Sequence, residues 1–593
     1  MCPRKKNKPV IEFTPNRYAQ AIFDYVQHES GNLVIEAAAG SGKTTTLIKI
    51  LDLIPKDKKV LFCSFNKDIV NELQSKVGDM ENVDIRTVHS LGLLMIQRNL
   101  KFHAPIDENK YRAFIGKNAK SLSSFDIRRL STTAYVKYLD NVTHIVNLCR
   151  HNLVDTYNGA VKLVERHEII LVEDEIDVAL QVLEWGKENV STVDYADMVW
   201  LPNVLYMSPI NLKYDYVLGD EAQDFSIAQR ELLFKCQKMG TRYIFCGDRN
   251  QCIYSFASAS PDTFDKLKAM PNTVALPLSI SYRCGKKIVE YAQKLVPSIE
   301  ANAENCDGEI TYNVKLEDIN DGDMVLCRNN APLMQAYNEF IRMNKKCFIR
   351  GKDIGLNLKR LVENTKQDKL YANLTKDGVF IRLYEKLFED RNKLMKMTGL
   401  GESTIMMTST MVNKFDMIKA LLVLAEGLTT ADELVEKIQN VFSDRKKGGI
   451  ALSTIHKSKG LEAENVFIAC RFLMPSKSAT QDWEVEQEHN LMYVAYTRAK
   501  KKLGFIDEKL FSAEIESDNE ILNIAESQVQ GILNKKTKGL IINENTAPEI
   551  AAHIEKIKPP VVGVIKDLSS TKKTTKPVTK LFEKRLTKRN KIK

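Results

Sequence analysis

The chain has 593 residues, of which 44% are hydrophobic and 27% charged, a composition typical of a soluble globular protein with three or four domains. It contains no apolar run near the roughly 18 residues that span a bilayer, and no apolar segment follows the basic N-terminus, so we expect neither a membrane anchor nor a secretory signal. The 11 cysteines include no Cys-x-x-Cys pair, which favours free thiols in a reducing compartment such as the cytoplasm over disulfides, zinc or iron–sulfur sites.

The formal net charge of +10 is concentrated at the two ends of the chain. Residues 566–593 hold 11 Lys and Arg against 2 Asp and Glu, and residues 1–8 hold 4 basic residues and no acidic one. The body between them is therefore slightly acidic, so the overall charge does not predict a basic groove. We expect the Lys-, Thr- and Pro-rich tail to be disordered and either to aid solubility or to add salt-sensitive affinity for a polyanion.

Six short apolar runs end abruptly at polar or glycine residues, as buried parallel strands do. They lie at residues 33–35, 60–63, 214–218, 243–246, 324–327 and 465–469. In open α/β sheets, ligands bind beyond the carboxyl ends of such strands, so we expect function in the polar residues that follow each run. Any single run could simply precede a loop, and only the set indicates a sheet.

Two long segments between these runs have a helical pattern. From about residue 91 to 204 the apolar positions recur at helical spacing, for example at Val142, Ile145, Val146 and Cys149, which predicts core packing. A second helical segment runs from about 356 to 440, and a glycine pair marks the turn before the next strand. The sequence therefore predicts an α/β protein with two mostly helical insertions.

The first apolar run leads into a small-residue loop followed by an apolar helix. The loop reads Ala37-Ala38-Ala39-Gly40-Ser41-Gly42-Lys43-Thr44-Thr45. This is the arrangement of a phosphate-binding P-loop with alanine at the first glycine position, and the alternative is a plain small-residue turn. The backbone from Ala39 to Thr45 would hold the phosphates of ATP, Lys43 would neutralise the β- and γ-phosphates, and the Thr44 hydroxyl would bind Mg²⁺.

Asp220 and Glu221 follow the third apolar run. Asp220 can hold Mg²⁺, while Glu221 can orient and deprotonate the attacking water, which is the second requirement of phosphoryl transfer. Adjacent acids are common on protein surfaces. The position of this pair after a predicted buried strand, in a chain that also has a P-loop, indicates a catalytic role.

Asp220-Glu221-Ala222-Gln223-Asp224 resembles the corresponding motif of the UvrD/Rep-like superfamily 1 DNA helicases, in particular those of the F-box DNA helicase branch. An ordered set of similar motifs runs from about Gln20 to Arg498. The resemblance implies two RecA-like P-loop NTPase domains with parallel sheets, each interrupted by a mostly helical insertion. The first domain would span 1–90 and 205–275 around an insertion at 91–204; the second would span 276–335 and 448–515 around an insertion at 336–447, before a C-terminal extension at 516–593.

The resemblance also implies a set of nucleotide contacts from both domains. Gln20 would read the adenine, Tyr282 would stack on it, and Glu462 would contact the ribose. Gln251, Arg283 and Arg498 would reach the γ-phosphate, where arginine is suited by its permanent charge and fixed fork of donors. A γ-phosphate held by both domains would draw them together, and hydrolysis would release them.

Contacts with single-stranded DNA are implied for residues that follow strand ends. The candidates are Phe65, Asn66, Thr87, His89, Tyr254, Phe256, Arg328, Asn330, Thr454 and His456. Phe65, Tyr254 and Phe256 would offer aromatic faces to bases, although each residue taken alone would more often belong to the core. The sequence departs from the family pattern at Ala257-Ser258, where Arg-Gly is usual, and at His489-Asn490, where a pair of arginines is frequent. For the acidic residues near 194–197 we expect helix capping by Asp194.

The resulting prediction is an ATP- and Mg²⁺-dependent DNA helicase or translocase in replication, repair or recombination, in whichever compartment holds the DNA. Its partners would be single-stranded DNA and duplexes with a single-stranded overhang, with no membrane, and the resemblance implies 3′ to 5′ movement. An alternative is a nucleotide-dependent DNA-binding switch, or a translocase that strips proteins without separating strands. A helicase–nuclease is disfavoured because no clustered carboxylates suit two metal ions.

Overall fold

The computed structural model describes residues 14–64, 70–71, 73–74, 80–130, 132–167, 169, 171–253, 263–366, 376–398, 409–442 and 448–511. Four predicted DNA-contact residues lie outside these ranges, namely Phe65, Asn66, Tyr254 and Phe256. Ala257, Ser258 and the predicted C-terminal extension lie outside them as well.

The first sheet has six strands that are parallel throughout. They are β1 (Asn32–Ala37), β2 (Val60–Ser64), β3 (Val83–Thr87), β4 (Tyr214–Asp220), β5 (Gln237–Gly247) and β6 (Thr273–Leu278). Their spatial order is β3-β2-β4-β5-β1-β6. Apolar residues fill both faces of the central strands, so helices cover the sheet on both sides. The carboxyl ends of β1, β4 and β5 therefore meet at one edge, where the P-loop and Asp220 lie.

The second sheet repeats this arrangement later in the chain. Its strands are β9 (Glu309–Val314), β10 (Met324–Cys327), β11 (Cys347–Ile349), β12 (Ile450–Thr454), β13 (Ala463–Ile468) and β14 (Ala499–Ile506), after a short pair β7 (Ile280–Ser281) and β8 (Glu300–Ala301). The order is β11-β12-β10-β13-β14-β9, and every neighbouring pair is parallel. We call each sheet with its packed helices a lobe, the first carrying β1–β6 and the second β9–β14. The predicted fold class is confirmed.

Helices make up most of the described residues of the two predicted insertions. Those between β3 and β4 are Val88–Leu100, Lys110–Leu122, Thr132–Asn152, Tyr157–Arg166, Glu175–Glu188 and Tyr195–Val204. Those between β11 and β12 are Lys352–Lys366, Lys376–Thr398, Ser409–Leu424 and Ala431–Val441. The remaining helices, which flank the sheets, are Arg17–His28, Lys43–Leu53, Ile227–Lys235, Thr263–Lys268, Lys286–Ala292, Ala331–Arg342 and Asp482–Tyr496. In the described part of the chain, none of these helices is both long and apolar enough to cross a membrane.

A buried ion cluster joins the helices of the first insertion. Arg150, which is 1% exposed, pairs with Asp194 at 2.7 Å and with Asp197 at 2.9 Å, and Lys110 reaches Asp197 at 2.6 Å. Asp194 also caps the helix that begins at Tyr195, through a capping box with Asp197. Asp194 is therefore a structural residue, as predicted.

The second insertion begins later than predicted. Strand β11 lies inside residues 336–447, yet it pairs with β12 in the second sheet, and helix Ala331–Arg342 packs against β10 and β11. The start at 336 is therefore too early, because this three-residue strand is too short to give a sequence signal. The other domain boundaries stay a prediction.

Candidate nucleotide site and nucleic-acid edge

The P-loop is shaped by two glycines in the left-handed region. Gly40 has φ 72° and Gly42 has φ 82°, a conformation that side chains rarely adopt. A Cβ on Gly40 would lie 2.6 Å from the Cβ of Arg283, and the Tyr282 N–H donates to the Gly40 carbonyl at 2.9 Å. Helix Lys43–Leu53 begins at Gly42 without a side-chain cap, so its first N–H groups can point at an anion.

Lys43 lies against Asp220, the last residue of β4, and Glu221, which follows it. The Lys43 ammonium lies 3.3 Å from Glu221, and the Thr44 hydroxyl donates to Asp220 at 3.2 Å. Glu221 holds a left-handed backbone with φ 53°, an uncommon conformation for a residue with a side chain and one that concentrates at functional sites. This turn directs the Glu221 carboxylate back over the P-loop.

Burial and charge act in opposite directions on these carboxyls. Burial raises the pKa of Asp220, and the adjacent charge of Glu221 raises it further. Burial also disfavours the ionised form of Glu221, but the cations of Lys43 and Lys459 outweigh it and lower the pKa of Glu221 below its usual value. Glu221 is therefore ionised at neutral pH, as a general base must be.

Arg498 and Gln251 meet between the two lobes. The Gln251 side-chain amide donates to Asp248 at 2.7 Å through Nε2 and accepts from Arg498 at 3.3 Å through Oε1. Arg498 is 1% exposed; burial and the neighbouring Arg283 lower its pKa to about 10, which leaves it charged at neutral pH. The structure thus places two residues predicted for the γ-phosphate in direct contact, although they are 247 positions apart.

The remaining predicted nucleotide contacts lie around the rim of this cluster. Arg283 pairs with Glu462 at 2.7 Å, and Glu462 also pairs with Lys500 at 2.6 Å. Tyr282 is 47% exposed, and its hydroxyl accepts from Asn16 at 2.8 Å. Gln20 is exposed on helix Arg17–His28, where its side chain donates to Asp24 at 2.8 Å. Their roles toward adenine and ribose stay predictions.

The residues present fit a triphosphate with a divalent cation. The Thr44 hydroxyl and the Asp220 carboxylate offer two adjacent oxygens, the ligand type that Mg²⁺ prefers, and phosphates commonly complete such a site. The Ser41 hydroxyl is buried in the loop without a hydrogen-bond partner among the described residues, which suits a group that receives a phosphate oxygen.

Four of the described DNA candidates follow strand ends of the second sheet. Arg328 pairs with the buried Glu488 through both of its carboxylate oxygens, at 2.8–3.2 Å, and Asn330 donates to Asp416 at 3.0 Å. Thr454 ends β12 and is 6% exposed. Burial, with the charge of Arg328, lowers the pKa of His456 to about 3, so this ring is neutral. These side chains form one edge, but most of their polar groups are engaged within the protein.

The other two described DNA candidates lie on the first lobe. The Thr87 hydroxyl caps helix Val88–Leu100 by accepting from the Ser90 N–H at 3.1 Å. The His89 ring meets Tyr195 edge-on at 6.3 Å between ring centroids, and burial lowers the pKa of His89. Both residues follow the carboxyl end of β3, and their contact with DNA stays a prediction.

Three residues for which the sequence predicted no contact connect the lobes. Lys459 pairs with Asp224 at 2.5 Å and donates to the Gln251 carbonyl at 2.7 Å. Tyr493 and Asn490 reach the first lobe from helix Asp482–Tyr496. Their partners are more than 200 positions away in the sequence, so no local pattern could reveal the contacts.

Two parallel α/β lobes that share one phosphate-binding loop, with arginines of the second facing the first, define a P-loop NTPase of the two-domain RecA-like class. Residues 19–272 match the family model of the UvrD/REP helicase N-terminal domain, and residues 353–509 match that of the UvrD-like helicase C-terminal domain. The chain belongs to the UvrD/Rep family of ATP-dependent DNA helicases.

Individual relatives agree with this family. The chain is 25% identical to F-box DNA helicase protein 1 of Schizosaccharomyces pombe, over 81% of this chain and 56% of the relative. It is 22% identical to the ATP-dependent DNA helicase Rep of Buchnera aphidicola subsp. Schizaphis graminum, over 80% and 91%, and 22% identical to the ATP-dependent DNA helicase PcrA of Staphylococcus aureus, over 81% of both chains. The chain spans about half the length of the F-box DNA helicases that it matches.

Proposed function

We propose that this protein couples ATP hydrolysis to movement along single-stranded DNA, from 3′ to 5′, and separates the strands of a duplex that it meets. One observation carries the proposal: residues from both lobes converge on one P-loop. Arg498 contacts Gln251, Lys459 pairs with Asp224, and Arg283 lies against Gly40. A γ-phosphate at this place would be held from both sides, so its loss would loosen one lobe from the other.

Lys43 has two competing partners in this scheme. Its ammonium pairs with Glu221 in the structure. Phosphate oxygens would draw the ammonium toward the loop and leave the Glu221 carboxylate free to orient and deprotonate water. Bound Mg²⁺, held by Thr44 and Asp220, would neutralise charge on the phosphates. Gln251, Arg283 and Arg498 would stabilise the charge that develops during transfer.

The second sheet uses opposite edges for its two proposed ligands. Glu462 and Arg498 precede β13 and β14, at the amino edge that faces the nucleotide, whereas Arg328 and His456 follow β10 and β12 at the carboxyl edge. A change in the position of the second lobe relative to the P-loop would therefore also move the edge proposed to bind DNA. On the first lobe, Thr87 and His89 would bind the same DNA strand.

The test is strand displacement and ATPase activity measured on one preparation, with partial duplexes that carry a 3′, a 5′ or no overhang. We expect ATPase stimulation by single-stranded DNA and displacement with the 3′ overhang only. Displacement restricted to the 5′ overhang would reverse the proposed polarity. Stimulated hydrolysis without displacement on any substrate would favour the nucleotide-dependent switch or the protein-stripping translocase.

A further inference from the structure

Helix Asp482–Tyr496 lies between the two proposed ligand sites. Near its middle, the carboxylate of Glu488 holds Arg328 at the carboxyl edge of the second sheet. The chain reaches Arg498 two residues after the helix ends. A helix of 15 residues is roughly 22 Å long and is stiff over that length, so a contact along it fixes the position of both ends.

Tyr493 joins this helix to the P-loop. The backbone N–H of Ala39 donates to the Tyr493 hydroxyl at 2.9 Å, and both residues are fully buried. Ala38 and Ala39 are packed within the apolar core of the second lobe. A buried N–H group without an acceptor raises the free energy of the folded protein. The Tyr493 hydroxyl therefore favours the one position of the helix, relative to the P-loop, in which it accepts from Ala39. Burial raises the pKa of Tyr493, and the hydroxyl stays protonated at neutral pH.

Asn490 joins the same helix to the turn that carries Gln251. Its side-chain N–H group donates to the carbonyls of Cys252 at 3.1 Å and Arg249 at 3.4 Å, and the residue is 8% exposed. Positions 490 and 493 lie on one face of the helix, directed at the first lobe. The Arg249–Glu486 pair on this face is about half exposed on both sides and adds little.

We propose that Tyr493 and Asn490 are positioning residues that dock helix Asp482–Tyr496 on the first lobe and thereby set where Arg498 meets Gln251. The inference rests on the proposed function, because it assigns these residues to closure of the nucleotide site. Tyr493 fixes the helix against the start of the P-loop. Asn490 fixes it against the turn that carries Gln251. The contact at position 490 requires only a hydrogen-bond donor that reaches two backbone carbonyls. Asparagine provides this donor, so it can replace the arginine that is frequent in the family at this position.

The first test compares Tyr493→Phe with Tyr496→Phe. The Tyr496 ring is equally buried on the same helix, but it packs on Tyr291 at 5.1 Å and Phe505 at 6.1 Å, inside the second lobe. We expect Tyr493→Phe to lower the DNA-stimulated kcat by about tenfold, the effect of one lost buried hydrogen bond in the closed state, with little change in the KM for ATP. Tyr496→Phe should keep the parent kcat.

The second test uses two changes at Asn490. Asn490→Ala removes the donor, and Asn490→Asp also places a carboxylate against two carbonyl oxygens, so we expect the aspartate variant to have the lower kcat. A residue that only packs would give similar values for both. The double variant Asn490→Ala/Tyr493→Phe should lose less than the product of the single effects, because both residues make one docking contact.

Melting temperature and the turnover of Lys43→Ala separate the possible failures. A kcat within twofold of the parent for Tyr493→Phe and for Asn490→Asp, while Lys43→Ala is inactive, would overturn the positioning role and leave the proposed function standing. Loss of kcat that follows the melting temperature across all variants, including Tyr496→Phe, would also overturn it. Parent-like turnover in Lys43→Ala would instead remove the proposed function itself.

Discussion

At the scale of single residues, we expect the pair of Lys43 and Glu221 to carry the chemistry. We expect Lys43 to bind the γ-phosphate and Glu221 to activate the water that attacks it, so replacing either residue should impair turnover for a different reason. Lys43→Ala should abolish ATP hydrolysis by weakening phosphate binding. Glu221→Gln should bind nucleotide but lose about 10²–10⁴-fold in kcat, the usual contribution of a general base. Steady-state ATPase assays and nucleotide titrations measure both, and turnover near the parent rate in either variant would contradict the assignment.

Gly40 allows a second prediction at this scale. Its φ of 72° and the 2.6 Å from its would-be Cβ to Arg283 leave no room for a side chain. Gly40→Ala should therefore raise the KM for ATP and lower kcat. Gly116→Ala is the matched control, since it lies in helix Lys110–Leu122 with no atom within 4 Å of the added Cβ, and it should stabilise the fold by about 0.5–1 kcal/mol. Equal kinetics in the two variants would contradict the steric argument.

The residue types of the phosphate site could be predicted from sequence because they are consecutive. Ala39–Thr45 form the turn between a strand and a helix and the first residues of that helix, and Asp220 and Glu221 lie where another strand ends, so local pattern is enough. The ion pair of Arg283 with Glu462 and the left-handed backbone of Glu221 could not be predicted. Both depend on packing between segments that are distant in the sequence.

At the scale of elements, the helices of the first insertion depend on their buried ion cluster. Removing one member leaves charges that water cannot reach, and Arg150 is held by both Asp194 and Asp197. Arg150→Ala should therefore destabilise the protein by about 3–5 kcal/mol, as is usual when one partner of a buried pair is lost. Arg112→Ala, which breaks an exposed pair with Asp140, should cost less than about 1 kcal/mol. Urea unfolding compares the two, and similar losses would contradict the account.

Helix Thr132–Asn152, which carries Arg150, also contains His151, whose titration should make the stability of the fold depend on pH. Burial, and then the charge of Arg150, lower the pKa of His151 to about 4. The unfolded chain takes up this proton near pH 6.5, so the stability that His151 preserves is complete above that pH and falls as the pH drops toward 4. His151→Gln should lose less stability than the parent between pH 6.5 and 4.5, with exposed His28→Gln as the control. Parallel curves for all three proteins would contradict this.

The six apolar runs were confirmed as strands, while several other strands gave no clear signal. β3 reads Val-Asp-Ile-Arg-Thr and lies half-buried at the end of its sheet, and β14 begins with a run of lysines. β9 ends the second sheet and exposes much of its surface. Edge strands keep polar residues on the side that faces water, so a search for continuous apolar runs misses them. Two interior strands were missed as well: β14, which begins with lysines, and β12, although all of its residues are buried.

At the scale of the whole molecule, the first insertion also contacts the second lobe. The Arg166 guanidinium lies 5.5 Å from the centre of the Trp483 ring, and Gln481 donates to the Arg166 carbonyl at 3.3 Å. If nucleotide binding changes how the lobes meet, Trp483 should change its surroundings. Its fluorescence should shift when an ATP analogue binds, and Trp483→Phe should remove that shift. A shift that persists in this variant would come from Trp185 or Trp200 instead.

The order of the motifs along the chain predicted two lobes and the residues of each, but not how the lobes touch. Lys459, Asn490 and Tyr493 act across the interface, and their contacts exist only once both sheets have formed. The engagement of Arg328 by Glu488 likewise could not be predicted, because the motif identifies a cation without its partner.

The most direct measurement of the central claim is a crystal structure with an ATP analogue, Mg²⁺ and single-stranded DNA bound together. Our account predicts that the guanidinium groups of Arg283 and Arg498 lie within hydrogen-bond distance, about 3 Å, of the γ-phosphate, while Lys43 has left Glu221. A closed complex in which both arginines point away from the nucleotide would contradict it.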